Sequence, residues 1–192
     1  MVVIHYTAMA NAEAALERLC DPQTEVSAHY LIDRIGAVTQ LVDEAQRAWH
    51  AGEGEWRGLQ DINSRSIGIE LDNTGDTPFP EPQMAALEGL LSQIMARWGI
   101  RPENVIGHSD MAPGRKQDPG PRFDWSRLAR LGLAGPVASR PQASADFMAV
   151  ARQAGFTAEV DTDTLLSATR LRFAPWRKGP LVPEDLMLFH RI

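Results

Sequence analysis

The side chains best suited to metal or proton chemistry are five histidines, His5, His29, His50, His108 and His190. Two stand out by position. His5 and His108 each end a short apolar run, IHYT and VIGHS, and strand ends are where a rigid sheet presents groups to a site. His108 lies within GHSDMAPGRKQDPGPRF, residues 107–123, whose Pro113, Gly114, Pro119, Gly120 and Pro121 predict a stiff loop rather than a helix. A residue before proline is held out of the helical region, so Asp118 is expected extended with its carboxylate presented. Two imidazoles and one carboxylate make the open zinc site of hydrolases, with a fourth position left for water. The same Asp118-Pro119-Gly120 is also an ordinary turn tripeptide. Asp110 is a second-ranked ligand, because His108-x-Asp110 leaves little chain to wrap an ion. Spacing alone leaves ligand and turn level.

Glu70 is the candidate general base. In Ser66–Asp72 (SIGIELD), Ile67, Ile69 and Leu71 face one way and Ser66, Gly68, Glu70 and Asp72 the other. The apolar face must be buried, so Glu70 looks elsewhere, with space left beside it by Gly68. A glutamate partly desolvated in a cleft there would gain the raised pKa that proton abstraction near neutrality needs. A solvated strand carboxylate alongside Asp72 is the commoner fate of such a residue. Lys116, two residues before Asp118 in an extended loop, projects to the same side, either placed to stabilise an oxyanion or as a solvated loop lysine. Trp49-His50-Ala51-Gly52 reads as a pocket wall, His29 as a buried, hydrogen-bonded histidine and Cys20 as a packed thiol.

These groups need elements to hold them. Val2–Thr7 reads as a buried strand, Ala10–Cys20 as a short helix, and His29–Arg34 with Ala37–Val42 as a hairpin about Ile35-Gly36. Glu81–Trp98 is the strongest helix: Met84, Leu87, Leu90, Leu91, Ile94, Met95 and Trp98 form one stripe, with Pro82 in the first turn and Gly99 past the end. Val105–His108 reads as a further strand and Trp125–Leu131 as a brief helix. The fold class is α/β: a central mixed β-sheet flanked by helices, with a small C-terminal helical appendage. Residues 1–131 form the first unit, 132–143 (Gly, Pro, Ala and Ser rich) a linker, and 144–192 a small helical domain.

Composition narrows the function. The 192 residues carry 19 Lys and Arg against 25 Asp and Glu, a net charge of −6, which argues against nucleic acid as partner. One cysteine excludes an intrachain disulfide and a multi-cysteine zinc finger. No run reaches the ~18 apolar residues of a membrane span. Met1 runs straight into VVIHY, so no secretory leader is read at this start.

Taken in order, His5-Tyr6-Thr7-Ala8, Val26–Ile32 (VSAHYLI), Ala48–Gly52 (AWHAG), Asn63 with Ser66–Leu71 (SIGIEL), and Gly107-His108 through Ala112-Pro113 to Arg115-Lys116 and Asp118-Pro119-Gly120 resemble the zinc-dependent N-acetylmuramoyl-L-alanine amidases of the second amidase family. That family is related to phage lysozyme-type amidases and peptidoglycan-recognition proteins, and the likeness covers about residues 2–131. The resemblance implies that His5, His108 and Asp118 bind Zn²⁺, that Glu70 activates water and that Lys116 stabilises the tetrahedral intermediate. Tyr6, Trp49, His50, Asn63 and Arg115 fall to the substrate side. The implied reaction is hydrolysis of the amide joining the lactyl group of N-acetylmuramic acid to L-alanine, in peptidoglycan or muropeptides. The alternative is a non-catalytic peptidoglycan-recognition module, though such relatives typically lack a metal ligand. Family members usually carry further residues before the first strand. Residues 144–192 resemble a shortened peptidoglycan-binding domain, or serve as helices that pad the catalytic part. A monomer is expected, periplasmic or at the cell envelope if a leader lies upstream and cytoplasmic otherwise, with the former favoured.

Overall fold

Strand β1, Val2–Tyr6, alternates its side chains across a sheet and so serves two layers at once. Val2 and Ile4 face one core; Val3 and His5 face the other way. The computed structural model describes residues 1–135 and 146–190. Among these, β1 is followed by α1 (Ala12–Cys20), β2 (Tyr30–Ile32), β3 (Val38–Gln40), β4 (Ile67–Leu71), α2 (Glu81–Trp98), β5 (Val105–Gly107), α3 (His108–Met111), α4 (Trp125–Arg130), α5 (Phe147–Ala154) and α6 (Thr162–Phe173). The five strands form one mixed sheet in the order β3-β2-β4-β1-β5. β1 runs parallel to β4 and β5, β2 parallel to β4, and only the β2–β3 hairpin is antiparallel.

One face of the sheet is closed by α2. Its Met84, Leu87, Leu90, Leu91 and Ile94 pack on Val2, Ile4, Ile32, Ile67, Ile69, Leu71 and Val105, which is the burial the SIGIELD alternation demands. The helix has the expected limits, with Pro82 in its first turn and Gly99 in the left-handed conformation (φ 60°) as its cap. Trp98 leaves the stripe: it is half exposed, and its indole N–H donates to Glu44 Oε2 at 2.6 Å. Helix α1 begins two residues later than expected because Asn11 is its cap, accepting the Ala14 amide at 2.9 Å.

The other face carries Val3 and Ile106, which join Met111, Ala112, Phe147, Val150, Ala151, Phe156, Leu165 and Leu166 in a second core. The described part of the expected C-terminal domain, residues 146–190, therefore shares its apolar interior with the sheet. It consists of α5, α6 and two short 3₁₀ turns, Pro183–Asp185 and Leu188–His190. Of the expected linker 132–143, residues 136–143 lie outside the described residues, while Leu133 and Ala134 pack on the first core. A polar clamp adds to this contact. Arg172 of α6, itself buried, donates to Asp110 Oδ2 and to the Val105 carbonyl (3.2 Å), with its guanidinium 3.9 Å from the Trp125 ring centre. Cys20 is exposed rather than packed.

Candidate metal centre and cleft

The site lies at the carboxyl ends of three adjacent parallel strands, where side chains converge in open α/β sheets. Register puts His5 beside Glu70 on β4 and Ile4 beside Gly107 on β5, so His108 follows directly next to His5. All three belong to the sheet face of Val3, beyond the point where the second core ends. The segment after His108 is not the plain loop expected. His108–Met111 makes one helical turn before the Pro and Gly run begins, with Asp110 Oδ2 accepting the Gly107 amide at 2.7 Å. Asp110 is thereby committed to Gly107 and Arg172. Asp118 instead returns to the strand end, its carbonyl accepting the Ser109 amide at 2.9 Å.

Three ligand-type atoms meet there. His5 Nδ1 lies 2.9 Å from His108 Nδ1 and 2.9 Å from Asp118 Oδ2, and His108 Nδ1 lies 3.0 Å from the same oxygen. All three residues are buried. One proton cannot satisfy three electron-rich atoms, whereas an ion bonding N and O at ~2.0–2.1 Å is within reach of all of them. The donor set fits a divalent cation with room for a further ligand. The far side of each ring is also held: His108 Nε2 is 2.8 Å from the Ala51 carbonyl, and His5 Nε2 is 3.0 Å from His50 Nδ1.

Around this triangle lies a cleft of about 470 Å³ bordered by His5, Tyr6, Trp49, His50, Glu70, His108, Arg115, Lys116 and Asp118. Glu70 Oε2 is buried and has no hydrogen-bond partner among the described residues. Burial, and next the negative charge of Asp118, push its carboxyl up to about 8, with Lys116 pulling the other way. Burial and the adjacent His108 lower His5 to about 4. Burial likewise holds His50 well below the ordinary imidazole range. Tyr6 is shifted up by burial and by Asp118, and Arg115 down by burial.

Three expected substrate-side residues, Asn63, His50 and Arg115, are engaged with the protein itself. Asn63 does not border the cleft; its Oδ1 accepts the amides of His50 (3.0 Å) and Ala51 (2.8 Å) and so fixes the AWHAG loop. His50 borders the cleft, but its Nδ1 faces His5 and its Nε2 faces Ser66 Oγ at 3.3 Å. The space expected beside Glu70 at Gly68 is filled by the His50 ring, since a Cβ there would lie 2.4 Å from His50 Cγ. Arg115 reaches back to the carbonyls of Ala51 (2.7 Å) and Glu53, and Trp49 stands more than half exposed at the rim. His29 is buried and bonded as expected, accepting the Gly68 amide at 3.0 Å and facing the Gln46 carbonyl at 3.0 Å.

The family described as N-acetylmuramoyl-L-alanine amidase matches residues 1–121. N-acetylmuramoyl-L-alanine amidase AmiD of Escherichia coli K12 is 44% identical over 157 residues, covering 73% of this chain and 56% of AmiD. The 1,6-anhydro-N-acetylmuramyl-L-alanine amidase AmpD of Enterobacter cloacae is 46% identical over 103 residues, covering 54% of this chain and 55% of AmpD. The chain thus spans about half the length of the curated relatives it matches. Among solved structures, Escherichia coli AmiD in complex with the substrate anhydro-N-acetylmuramic acid-L-Ala-D-γ-Glu-L-Lys superposes with a TM-score of 0.87 at 33% identity, covering 99% of this chain and 86% of that one. Pseudomonas aeruginosa AmpDh3 in complex with anhydromuramic pentapeptide gives 0.87 at 30% identity, covering 99% and 89%. With that family matched across well over half its length, the chain belongs to the N-acetylmuramoyl-L-alanine amidases.

Proposed function

We propose that the protein is a zinc amidase that hydrolyses the bond between the lactyl carbonyl of N-acetylmuramic acid and the nitrogen of L-alanine. The convergence of His5, His108 and Asp118 beside Glu70, whose Oε2 is buried without a hydrogen-bond partner among the described residues, carries this reading. The names of AmiD and AmpD support the reaction, and the anhydromuramyl peptides bound in the AmiD and AmpDh3 structures support the substrate class.

Zinc held by the three ligands would supply Lewis-acid polarisation of the amide carbonyl and acidification of water. Glu70 takes the proton from the attacking water and returns it to the departing alanine nitrogen, so that water is added across the C–N bond. Lys116, on the same cleft, offers an ammonium to the oxyanion formed at the lactyl carbonyl. Tyr6, Trp49 and Arg115 line the approach for the glycan and stem peptide; His50 borders the same cleft with its ring nitrogens held by the protein, and Asn63 supports its loop from behind.

The test is incubation of the full chain with an anhydro-muropeptide and, separately, with isolated peptidoglycan sacculi. Free stem peptide with an L-alanine amino terminus is the expected product. Binding without release would favour a recognition module. Release from sacculi would accord with an enzyme of the cell envelope, which fractionation checks; release from the soluble fragment alone would confine it to muropeptides. The expected monomer is checked separately by gel filtration.

A further inference from the structure

Resting on that zinc reading, the hydrogen bonds behind the ligands carry one step more. An imidazole that gives Nδ1 to a metal must keep its proton on Nε2, and it needs an acceptor there. His108 has a fixed one in the Ala51 carbonyl, 2.8 Å away. His5 has a third imidazole, His50 Nδ1 at 3.0 Å, which accepts only if His50 carries its own proton on Nε2. The partner of His50 Nε2 decides this. Ser66 Oγ lies 3.3 Å from it and 2.6 Å from the Ile62 carbonyl, an atom that only accepts. The Ser66 hydroxyl proton is therefore given to Ile62, leaving its oxygen to accept from His50 Nε2.

We propose that His50 is a positioning residue, and that the chain from the Ile62 carbonyl through Ser66 and His50 locks His5 in the tautomer that offers Nδ1 to the metal. Two further contacts set the relay in place. Asn63 holds the His50 backbone amide, and the absent side chain of Gly68 makes room for the ring over β4. The polarity of the chain runs one way only, from His5 outward to Ile62, because it ends on a carbonyl.

The experiment is zinc affinity of the full chain, by competition with a chromogenic chelator, for wild type, His50→Asn, His50→Phe and Ser66→Ala. Asparagine keeps an acceptor close to the position of Nδ1; phenylalanine keeps the ring and removes it. His50→Phe is expected to weaken zinc binding by about 10–100-fold, His50→Asn to retain most of the affinity, and Ser66→Ala to fall between them. Long-range ¹H–¹⁵N spectra of the zinc-loaded wild type are expected to show protons on Nε2 of both His5 and His50, and they decide the matter alone if His50→Phe does not fold. A proton on His50 Nδ1, equal losses in the asparagine and phenylalanine variants, or wild-type affinity in His50→Phe would overturn the relay while leaving the zinc site standing. A wild-type chain that takes up no zinc would overturn the metal reading and this proposal with it.

Discussion

His5 and Glu70 stand opposite one another on adjacent parallel strands, paired in register, with a metal-type ligand on one and an unpartnered carboxylate on the other. The period of two that buries Ile4 and Ile69 on the α2 side turns both residues to the opposite face. Their spacing is therefore a property of the sheet and not of a loop.

Glu70→Gln should lower turnover by the ~10²–10⁴ typical of a lost general base while zinc still binds. Single-turnover release of stem peptide, with zinc stoichiometry measured alongside, checks this. Normal turnover in the variant would remove Glu70 from the chemistry.

The same substitution predicts a stability effect in chelated protein. The folded carboxyl sits at about 8 against an ordinary 4.5, so the unfolded chain loses its proton first. Stability attributable to this group is intact below about pH 4.5 and is lost as pH rises through 8. Between about pH 5 and 8, wild type should lose up to ~1.4 kcal/mol per pH unit relative to Glu70→Gln. Parallel urea-denaturation curves across that range would contradict the shift.

Arg172→Met should destabilise the protein by ~3–5 kcal/mol, because it strands Asp110 in a buried position. The double variant Arg172→Met with Asp110→Asn should recover part of the loss. Denaturation midpoints measure both, and strict additivity would mean that the two side chains are not coupled.

Residues 146–190 are expected to behave as part of the same folding unit. A chain ending at Gly135 would expose Val3, Ile106 and Met111, all completely buried in the whole protein, and should aggregate or unfold without cooperativity. Phe156→Ala, in the middle of that contact, should cost ~3–5 kcal/mol. A soluble 1–135 fragment that unfolds cooperatively and binds zinc would show the helices to be separable.

Much of this was legible in the sequence, for reasons that differ by residue. The stripe of Glu81–Trp98 and the alternation of Ser66–Asp72 are local patterns, and both elements lie where those patterns put them. The hairpin strands are shorter than expected, three residues each, because exposed β3 is a sheet edge with no apolar face to prolong the pairing. The helical turn at His108–Met111 has a signal that is easily passed over, an aspartate three residues after Gly107 that accepts its amide. The sequence ranks Asp118 above Asp110 only on the length of chain available to wrap an ion; the partner that commits Asp110 elsewhere, Arg172, lies sixty-two residues away and is not legible in it. The engagement of both His50 ring nitrogens, with His5 on one side and Ser66 on the other, was out of reach for the same reason: both partners lie far away in the sequence.

Metal-dependent turnover on an anhydro-muropeptide decides whether His5, His108 and Asp118 hold a catalytic zinc. Protein stripped by a chelator should release no stem peptide, one equivalent of zinc per chain should restore release, and Asp118→Asn should need far more zinc to do so. Undiminished release by metal-free protein would show that the reaction does not need zinc.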